Sequence, residues 1–148
     1  MVKNFNFDLR LIFAIFNGKV SAALNRRLHR NFRANGLEIT PEQWTVLIFL
    51  WNKDGVTQQE LCNATFKDKP SMTRLLNNME KQHLVVRIHN GNDRRSNLIH
   101  LTKEGRGIEK KAEAITTMTL KQALKDVTLE EIQVGQDLLR KIFGNIKD

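Results

Sequence analysis

Residues 69–101 read KPSMTRLLNNMEKQHLVVRIHNGNDRRSNLIHL, and the spacing of their apolar residues changes from helical to extended partway along. Four apolar residues recur at helical intervals: Met72, Leu75, Leu76 and Met79. They predict a helix over about 69–82. Residues 84–89 and 97–101 have the pattern of β-strands, and Asn90-Gly91 between them is typical of a hairpin turn. The stretch therefore predicts a helix followed directly by a β-hairpin, with 90–96 as the connecting segment.

Further helices lie on both sides of this stretch. Four threonines precede apolar-periodic runs and are predicted helix N-caps: Thr40, Thr57, Thr102 and Thr128. Helical spacing also covers about 6–34, where Gly36 ends the pattern, and about 103–125. The helix after Thr40 is apolar on nearly every side, which predicts a central core helix. The sequence thus predicts one mainly α domain over 1–148 with a small β-hairpin, divided into a head at 40–102 and long terminal helices within 1–36 and 103–148.

The short helix after Thr57 and the helix over 69–82 form a candidate helix-turn-helix, and the hairpin after them makes it a winged helix-turn-helix. In that arrangement the second helix can enter the major groove of DNA, while the hairpin tip reaches phosphates or the minor groove. Polar residues lie on or beside the outward face of this helix: Ser71, Thr73, Arg74, Asn77, Asn78 and Lys81. Arginine, asparagine and hydroxyl side chains can bond base edges or phosphates. A surface helix that binds nothing has a polar outer face too, so the helix alone does not distinguish a DNA-binding face from an ordinary solvated one.

The chain is basic, with 24 lysine and arginine residues against 16 acidic ones and a net charge of +8. Residues 67–106 contain nine basic and four acidic residues, so +5 of that charge lies in and beside the candidate helix-turn-helix. This distribution favours a polyanionic partner, although a solvated lysine-rich surface gives a similar composition. The expected partner is double-stranded DNA.

Several motifs resemble those of the MarR family of winged helix-turn-helix transcriptional regulators. They are Thr73-Arg74-Leu75-Leu76, Asp93-Arg94-Arg95-Ser96, Leu101-Thr102-Lys103-Glu104-Gly105 and, before the central helix, Thr40-Pro41-Glu42-Gln43-Trp44. The resemblance implies a homodimer formed by the long terminal helices, bound to a pseudo-palindromic operator. It also implies a repressor that a small-molecule effector releases from DNA.

The resemblance implies roles for individual residues as well. Asp93 would hold the wing by pairing with an arginine, and Arg94 and Arg95 would meet the minor groove or phosphates. Four residues would face the major groove, with Lys81 on the same outward face: Ser71, Thr73, Arg74 and Asn77. The chain departs from the family at two turns. Phe66-Lys67 replaces a glycine and an apolar residue, so that turn is either longer or tucks Phe66 inward. His83 replaces the glycine that ends the recognition helix; histidine can adopt the left-handed conformation there at a modest cost, so His83 is interpreted as a helix cap rather than a ligand.

Other function classes find little support in the sequence. It lacks the glycine-rich phosphate loop, nucleophile elbow and histidine–carboxylate set of common enzymes. The four histidines have no metal-ligand spacing, so no metal or other cofactor is expected. The single cysteine, Cys62, is interpreted as a packing residue rather than a redox switch. The longest apolar run, Val46–Trp51, is far below the roughly 20 residues of a membrane span, so a soluble cytoplasmic protein is expected.

The sequence leaves two alternatives open. A winged helix that only mediates protein contacts is the alternative to DNA binding, and a DNA affinity that falls steeply with salt distinguishes them. Arg26 and Arg30 share a face of the first helix and could bind a small anionic or aromatic effector near Trp44. A solvated helix end is the simpler interpretation of these arginines.

Overall fold

The computed structural model describes the backbone of residues 8–91 and 93–148, and the side chains of these residues except 90 and 93–96. Its helices are α1 (Leu9–Ala34), α2 (Pro41–Asn52), α3 (Gln58–Thr65), α4 (Lys69–Lys81), α5 (Lys103–Gly107), α6 (Glu109–Ala123) and α7 (Leu129–Ile146). Its strands are β1 (Val56–Thr57), β2 (Val85–Asn90) and β3 (Asp93–Leu101). The predicted mainly α winged helix-turn-helix fold is confirmed. Within the described residues, no helix combines the length and apolar character needed to cross a membrane.

The four predicted threonine caps are all present. Thr40, Thr57 and Thr128 each accept a hydrogen bond from the backbone N–H three residues later, and the Gln or Glu at that position bonds back to the threonine N–H. Thr102 accepts from the Gly105 N–H at 3.0 Å. Each cap satisfies a backbone donor that has no partner within the helix, which stabilises the fold by about 1 kcal/mol.

The core lies where α2 meets α4 and the sheet. From α2, Val46, Leu47 and Leu50 are at most 1% exposed, and Val85 and Ile99 of the sheet are at most 2% exposed. The predicted central core helix is confirmed, since only Glu42 and Asn52 of α2 are exposed, but its burial is not uniform. Trp44 and Trp51 are only partly buried, because their side of the helix borders an open cavity next to α6.

The sheet is antiparallel with strand order β1-β3-β2. Strand β1 was not predicted, since two residues carry no alternation to detect. It pairs Val56 with Ile99 and Thr57 with Leu98. The predicted connecting segment at 90–96 was also too long, because β2 extends through Asn90 and β3 already begins at Asp93. Backbone pairing continues beyond the last apolar residues, where the sequence pattern no longer marks a strand.

The terminal helices differ in detail from the prediction. Helix α1 begins at Leu9 with Asp8 as its N-cap, and residues before 8 lie outside the described part of the chain. The helix predicted over 103–125 is divided at Ile108 into α5 and α6. The two pieces have different neighbours: α5 packs on the root of β3, whereas α6 packs along α1, where the Asn31 amide donates to the Thr119 hydroxyl at 2.8 Å.

Candidate nucleic-acid interface

Helix α4 has one buried and one exposed face, as its sequence predicts. The buried residues are Met72, Leu75, Leu76 and Met79, none more than 9% exposed. Ser71 and Thr73 are half-buried at the edge, and the exposed residues are Lys69, Pro70, Arg74, Asn77, Asn78, Glu80 and Lys81. The polar face is therefore fixed toward solvent by the apolar face that anchors the helix in the core.

The start of α4 is fixed by a cap that the sequence reading missed. The Asp68 carboxylate accepts a hydrogen bond from the Ser71 N–H at 2.8 Å, and Pro70 lies in the first helical turn. This backbone hydrogen bond is the main reason that the pKa of Asp68 is lowered, with smaller contributions from the positive charges of Arg74 and Lys67. Aspartate followed two residues later by proline is a recognisable N-terminal signal, so Asp68 could have been found from the sequence.

A polar contact clamps α4 to α3. The Gln58 side-chain amide donates to the Thr73 hydroxyl at 2.7 Å, and that hydroxyl donates to the Lys69 carbonyl at 2.9 Å. Thr73, a predicted DNA contact, thus uses its hydroxyl within the protein. Gln58 was not singled out from the sequence, because a glutamine in the first turn of a helix carries no local signal for a contact 15 residues away.

The turn between α3 and α4 spans residues 66–68 and contains a left-handed residue. Phe66 adopts φ 58° and is 65% exposed, so it does not tuck inward. Its ring lies edge-on to Phe143 of α7, with the centroids 5.1 Å apart. The departure at Phe66-Lys67 therefore places an aromatic contact to the C-terminal helix where glycine was expected.

The end of α4 is closed by His83 in the left-handed conformation, as predicted. His83 has φ 60°, its N–H donates to the Glu80 carbonyl at 3.0 Å, and the Leu84 N–H donates to the Met79 carbonyl at 2.9 Å. This pair of hydrogen bonds is a Schellman motif. It turns the chain from α4 directly into β2.

A second polar chain holds the same end of α4. The buried Gln43 amide donates to Gln82 at 2.6 Å, and Gln82 donates to the Glu38 carbonyl at 2.9 Å. Gln43 also completes the cap of α2 by bonding with Thr40. This series of hydrogen bonds therefore connects the start of α2 and the loop before it to the end of α4. Both ends of α4 and its middle are thus held by the rest of the head.

The root of the β2–β3 hairpin is held by Asp54. One carboxylate oxygen accepts from the Leu101 N–H at 2.8 Å and the other from the Arg106 guanidinium, with the His100 ring 3.6 Å away. The predicted wing residues Asp93, Arg94 and Arg95 lie outside the described side chains, so their contacts are not part of this geometry.

The exposed cations of α4 are available to a partner. Lys69, Arg74 and Lys81 form no ion pair with any carboxylate among the described side chains, whereas Lys67 pairs with Glu42 at 2.9 Å and Arg87 with Glu80 at 3.4 Å. These three cations are therefore not held in ion pairs within the described part of the chain, which favours an anionic partner.

The remaining predicted residues lie elsewhere. Trp44 borders a cavity between α2 and α6, and neither Arg26 nor Arg30, both exposed on α1, is among the residues that line it. Cys62 is buried in α3, consistent with packing. Among the described residues, no group of three histidine, cysteine or acidic side chains is arranged to hold a metal ion.

Comparisons with known proteins agree with this geometry. A family model described as "MarR family" matches residues 37–96. The HTH-type transcriptional regulator TtmR of Methylorubrum extorquens (strain PA1) is 32% identical over 110 residues, which cover 74% of this chain and 54% of that protein. The chain therefore spans about half of the length of this curated relative.

Two solved structures share the fold. A mutant of MarR from E. coli complexed with operator DNA matches with a TM-score of 0.82 at 24% identity, covering 92% of this chain and 99% of that one. An organohalide-sensing transcriptional regulator bound to 2,4-dichlorophenol matches with a TM-score of 0.89 at 18% identity, covering 97% and 86%. At these identities the likeness concerns the fold alone. The family match across α2 to the hairpin and the 32% identity to TtmR over 74% of the chain place the chain in the MarR family of winged helix-turn-helix transcriptional regulators.

Proposed function

We propose that the protein binds double-stranded DNA sequence-specifically and regulates transcription, with α4 in the major groove and the β2–β3 hairpin at the minor groove or phosphates. The observation that carries this proposal is the exposed face of α4, where Arg74, Asn77 and Lys81 lie opposite a fully buried apolar face. A related fold, that of E. coli MarR, is known in complex with operator DNA.

The residues of α4 suit different parts of a duplex. Arg74 can bond guanine with two parallel hydrogen bonds, and Asn77 can do the same with adenine. Lys81 and Ser71, near the two ends of the helix, suit phosphates. Thr73, whose hydroxyl is engaged by Gln58, is proposed to contribute mainly by fixing α4 at the angle that the other side chains need.

The rigid mounting of α4 supports base readout rather than nonspecific attraction alone. Caps or hydrogen bonds hold its start through Asp68, its first turns through Gln58 and its end through Gln82. A helix that is ordered before binding loses little conformational entropy on docking, and its side chains meet the bases in a defined register. For the wing, the proposal is that Asp93 stabilises the tip and that Arg94 and Arg95 contact the backbone or minor groove.

We also propose that the protein acts as a homodimer. The apolar residues along the first half of α1, among them Leu9, Phe13 and Phe16, are 41–81% exposed in the single chain. No residue of α7 is buried, although Leu138, Leu139 and Phe143 recur on one side of it. Two long helices with uncovered apolar faces need a partner surface, and a second copy supplies one of the same kind. The expected mass in light scattering is twice 17.2 kDa.

A repressor released by a small-molecule effector, with no catalytic activity of its own, is the form of regulation proposed. It is supported by the cavity between α2 and α6, which lies where the head meets the terminal helices. An effector there would favour one of two arrangements of the heads and so change DNA affinity. A module that only binds proteins is the second candidate, but the unpaired cations of α4 favour DNA.

The test begins with selection of duplexes from a random library by the purified protein. Recovery of an inverted repeat is expected from a symmetric dimer. Arg74→Ala should then weaken binding to the selected duplex by about 1–3 kcal/mol, with a much smaller effect on random duplex. The matched control is Arg27→Ala, which removes the same charge from the exposed surface of α1.

Each part of the proposal has its own contrary outcome. Equal losses on selected and random duplex would exclude Arg74 as a base reader. Replacing Arg94 and Arg95 together should flatten the dependence of log affinity on log salt, and an unchanged slope would remove the wing from the contacts. Enrichment of no sequence, with affinity insensitive to salt, would favour the protein-binding alternative.

A further inference from the structure

The cavity between α2 and α6 has a volume of about 340 Å³ and walls of unusual chemistry for a basic protein. Trp44 and Trp51 line it from α2, and Glu109, Glu113 and Thr116 line it from α6. The chain contains only two tryptophans, so both are in this one wall. Aromatic surface therefore faces acidic side chains across a space of small-molecule size.

Two of the donors at this cavity, on Trp51 and Thr116, are used within the protein. The Trp51 indole N–H donates to the Gly105 carbonyl at 2.9 Å, which also fixes the ring in place. The Thr116 hydroxyl, 9% exposed, donates to the Ala112 carbonyl at 2.8 Å and so offers only its lone pairs to the cavity. Neither of these two groups therefore offers a donor to a ligand, and the acceptors that carry full charge are the carboxylates of Glu109 and Glu113.

The carboxylates at this cavity are not neutralised. Glu109 and Glu113 are four residues apart, so they share one face of α6. Neither forms an ion pair with a basic side chain in the described part of the chain, and none of the described residues that line the cavity is basic. An anion placed here would meet two like charges, whereas a cation would meet two opposite ones.

We propose that this cavity is a binding site for an organic cation that carries an aromatic or alkylated ammonium group. The indoles would attract the cation through their π faces, and the two carboxylates would supply the charge complement. The proposal deepens the effector part of the proposed function by naming the ligand class, and it replaces the anionic effector that Arg26 and Arg30 suggested. It concerns binding to the free protein, so it stands or falls independently of DNA binding.

The two tryptophans provide a direct readout. The full-length protein, without DNA, is titrated with benzyltrimethylammonium, benzyl alcohol and benzoate, which share a phenyl ring and differ in charge. Saturable change in tryptophan fluorescence is expected with the cation at a lower concentration than with the neutral alcohol, and none with benzoate. Equal responses to the three probes, or a preference for benzoate, would overturn the proposal.

Matched variants separate binding from structure. Glu109→Gln combined with Glu113→Gln should weaken cation binding by about fivefold or more for each charge removed. The control pair Glu38→Gln with Glu104→Gln removes the same charge from exposed positions outside the cavity and should leave affinity unchanged. Circular dichroism checks that each variant is folded, since Glu109 also lies in the first turn of α6. Equal weakening by both pairs would overturn the proposal. Failure to select a DNA sequence, with cation binding intact, would refute only the proposed DNA function.

Discussion

Replacing Gly105 by alanine is expected to destabilise the junction between the wing and α5. An added Cβ would lie 2.2 Å from the Leu84 carbonyl oxygen and 3.2 Å from Cδ2 of Leu101. That carbonyl is backbone and already accepts the Thr102 N–H at 3.1 Å, so it has no rotamer through which to move away. Helix α5 must therefore shift by about 1 Å to restore an ordinary contact.

The size of the effect follows from three contributions. Overpacking of this kind costs about 1–3 kcal/mol. A shift of α5 also lengthens the hydrogen bond from Trp51 to the Gly105 carbonyl, which contributes about 1 kcal/mol. Alanine returns up to about 1 kcal/mol through its higher helix propensity. The net expectation is a loss of about 2 kcal/mol, or a fall of about 4–8 °C in Tm for a chain of this size.

Thermal unfolding followed by circular dichroism measures this loss, with Gly107→Ala as the control. Gly107 belongs to the same short helix, but a Cβ there meets no atom within 4 Å. Its alanine variant should be at least as stable as the parent. Protomer concentration must be equal in all samples, because a dimer's Tm depends on it. Equal Tm values for the two variants would refute the close approach of Gly105 to Leu84.

Three further predictions concern the turns and caps. His83→Gly should stabilise the protein by about 1 kcal/mol, because glycine adopts φ 60° without a Cβ penalty, and a lower urea midpoint would contradict this. Thr57→Ala should cost about 1 kcal/mol by removing the α3 cap, whereas Thr117→Ala on exposed α6 should cost much less. Because the pKa of Asp68 is lowered, its charged form stabilises the fold above the ordinary aspartate pKa of about 3.9, and this stabilisation is lost as pH falls through the lowered value. The stability of the parent relative to Asp68→Asn should therefore decrease below about pH 4 and stay constant above about pH 5. A stability difference that is the same at every pH would contradict this prediction.

Features set by neighbouring residues were predictable from the sequence. The threonine caps depend on residues three apart, and the buried face of α4 depends on the period of one helix. The left-handed His83 followed from its position just past the end of α4. Each of these is decided within about one helical turn, so the sequence pattern and the structure agree.

Features set by contacts between distant elements were not predictable. Gln58 with Thr73 and Gln43 with Gln82 join residues 15 and 39 positions apart, and a single sequence gives no sign of either pair. Strand β1 exists only because β3 is beside it. The four-residue spacing of Glu109 and Glu113 was visible, but the fact that they face Trp44 depends on how α6 packs near α2. Of the predicted effector residues, Trp44 lines this cavity, whereas Arg26 and Arg30 on α1 are not among its lining residues, because spacing along one helix does not show which cavity its side chains reach.

The short strand β1 and the Asp54 carboxylate fasten β3 from the side opposite β2. From Leu98 to Leu101, β3 is thus bonded along both edges, whereas Asn97 pairs with His89 of β2. A substitution or insertion near Gly91 therefore leaves the contacts of β3 with β1 and Asp54 intact, whereas one between Asp54 and Thr57 displaces the whole β2–β3 hairpin relative to α4. Hairpin tips from related regulators are best joined at the His89–Asn97 pair, because the tip can be exchanged there without changing the contacts at the root of the hairpin.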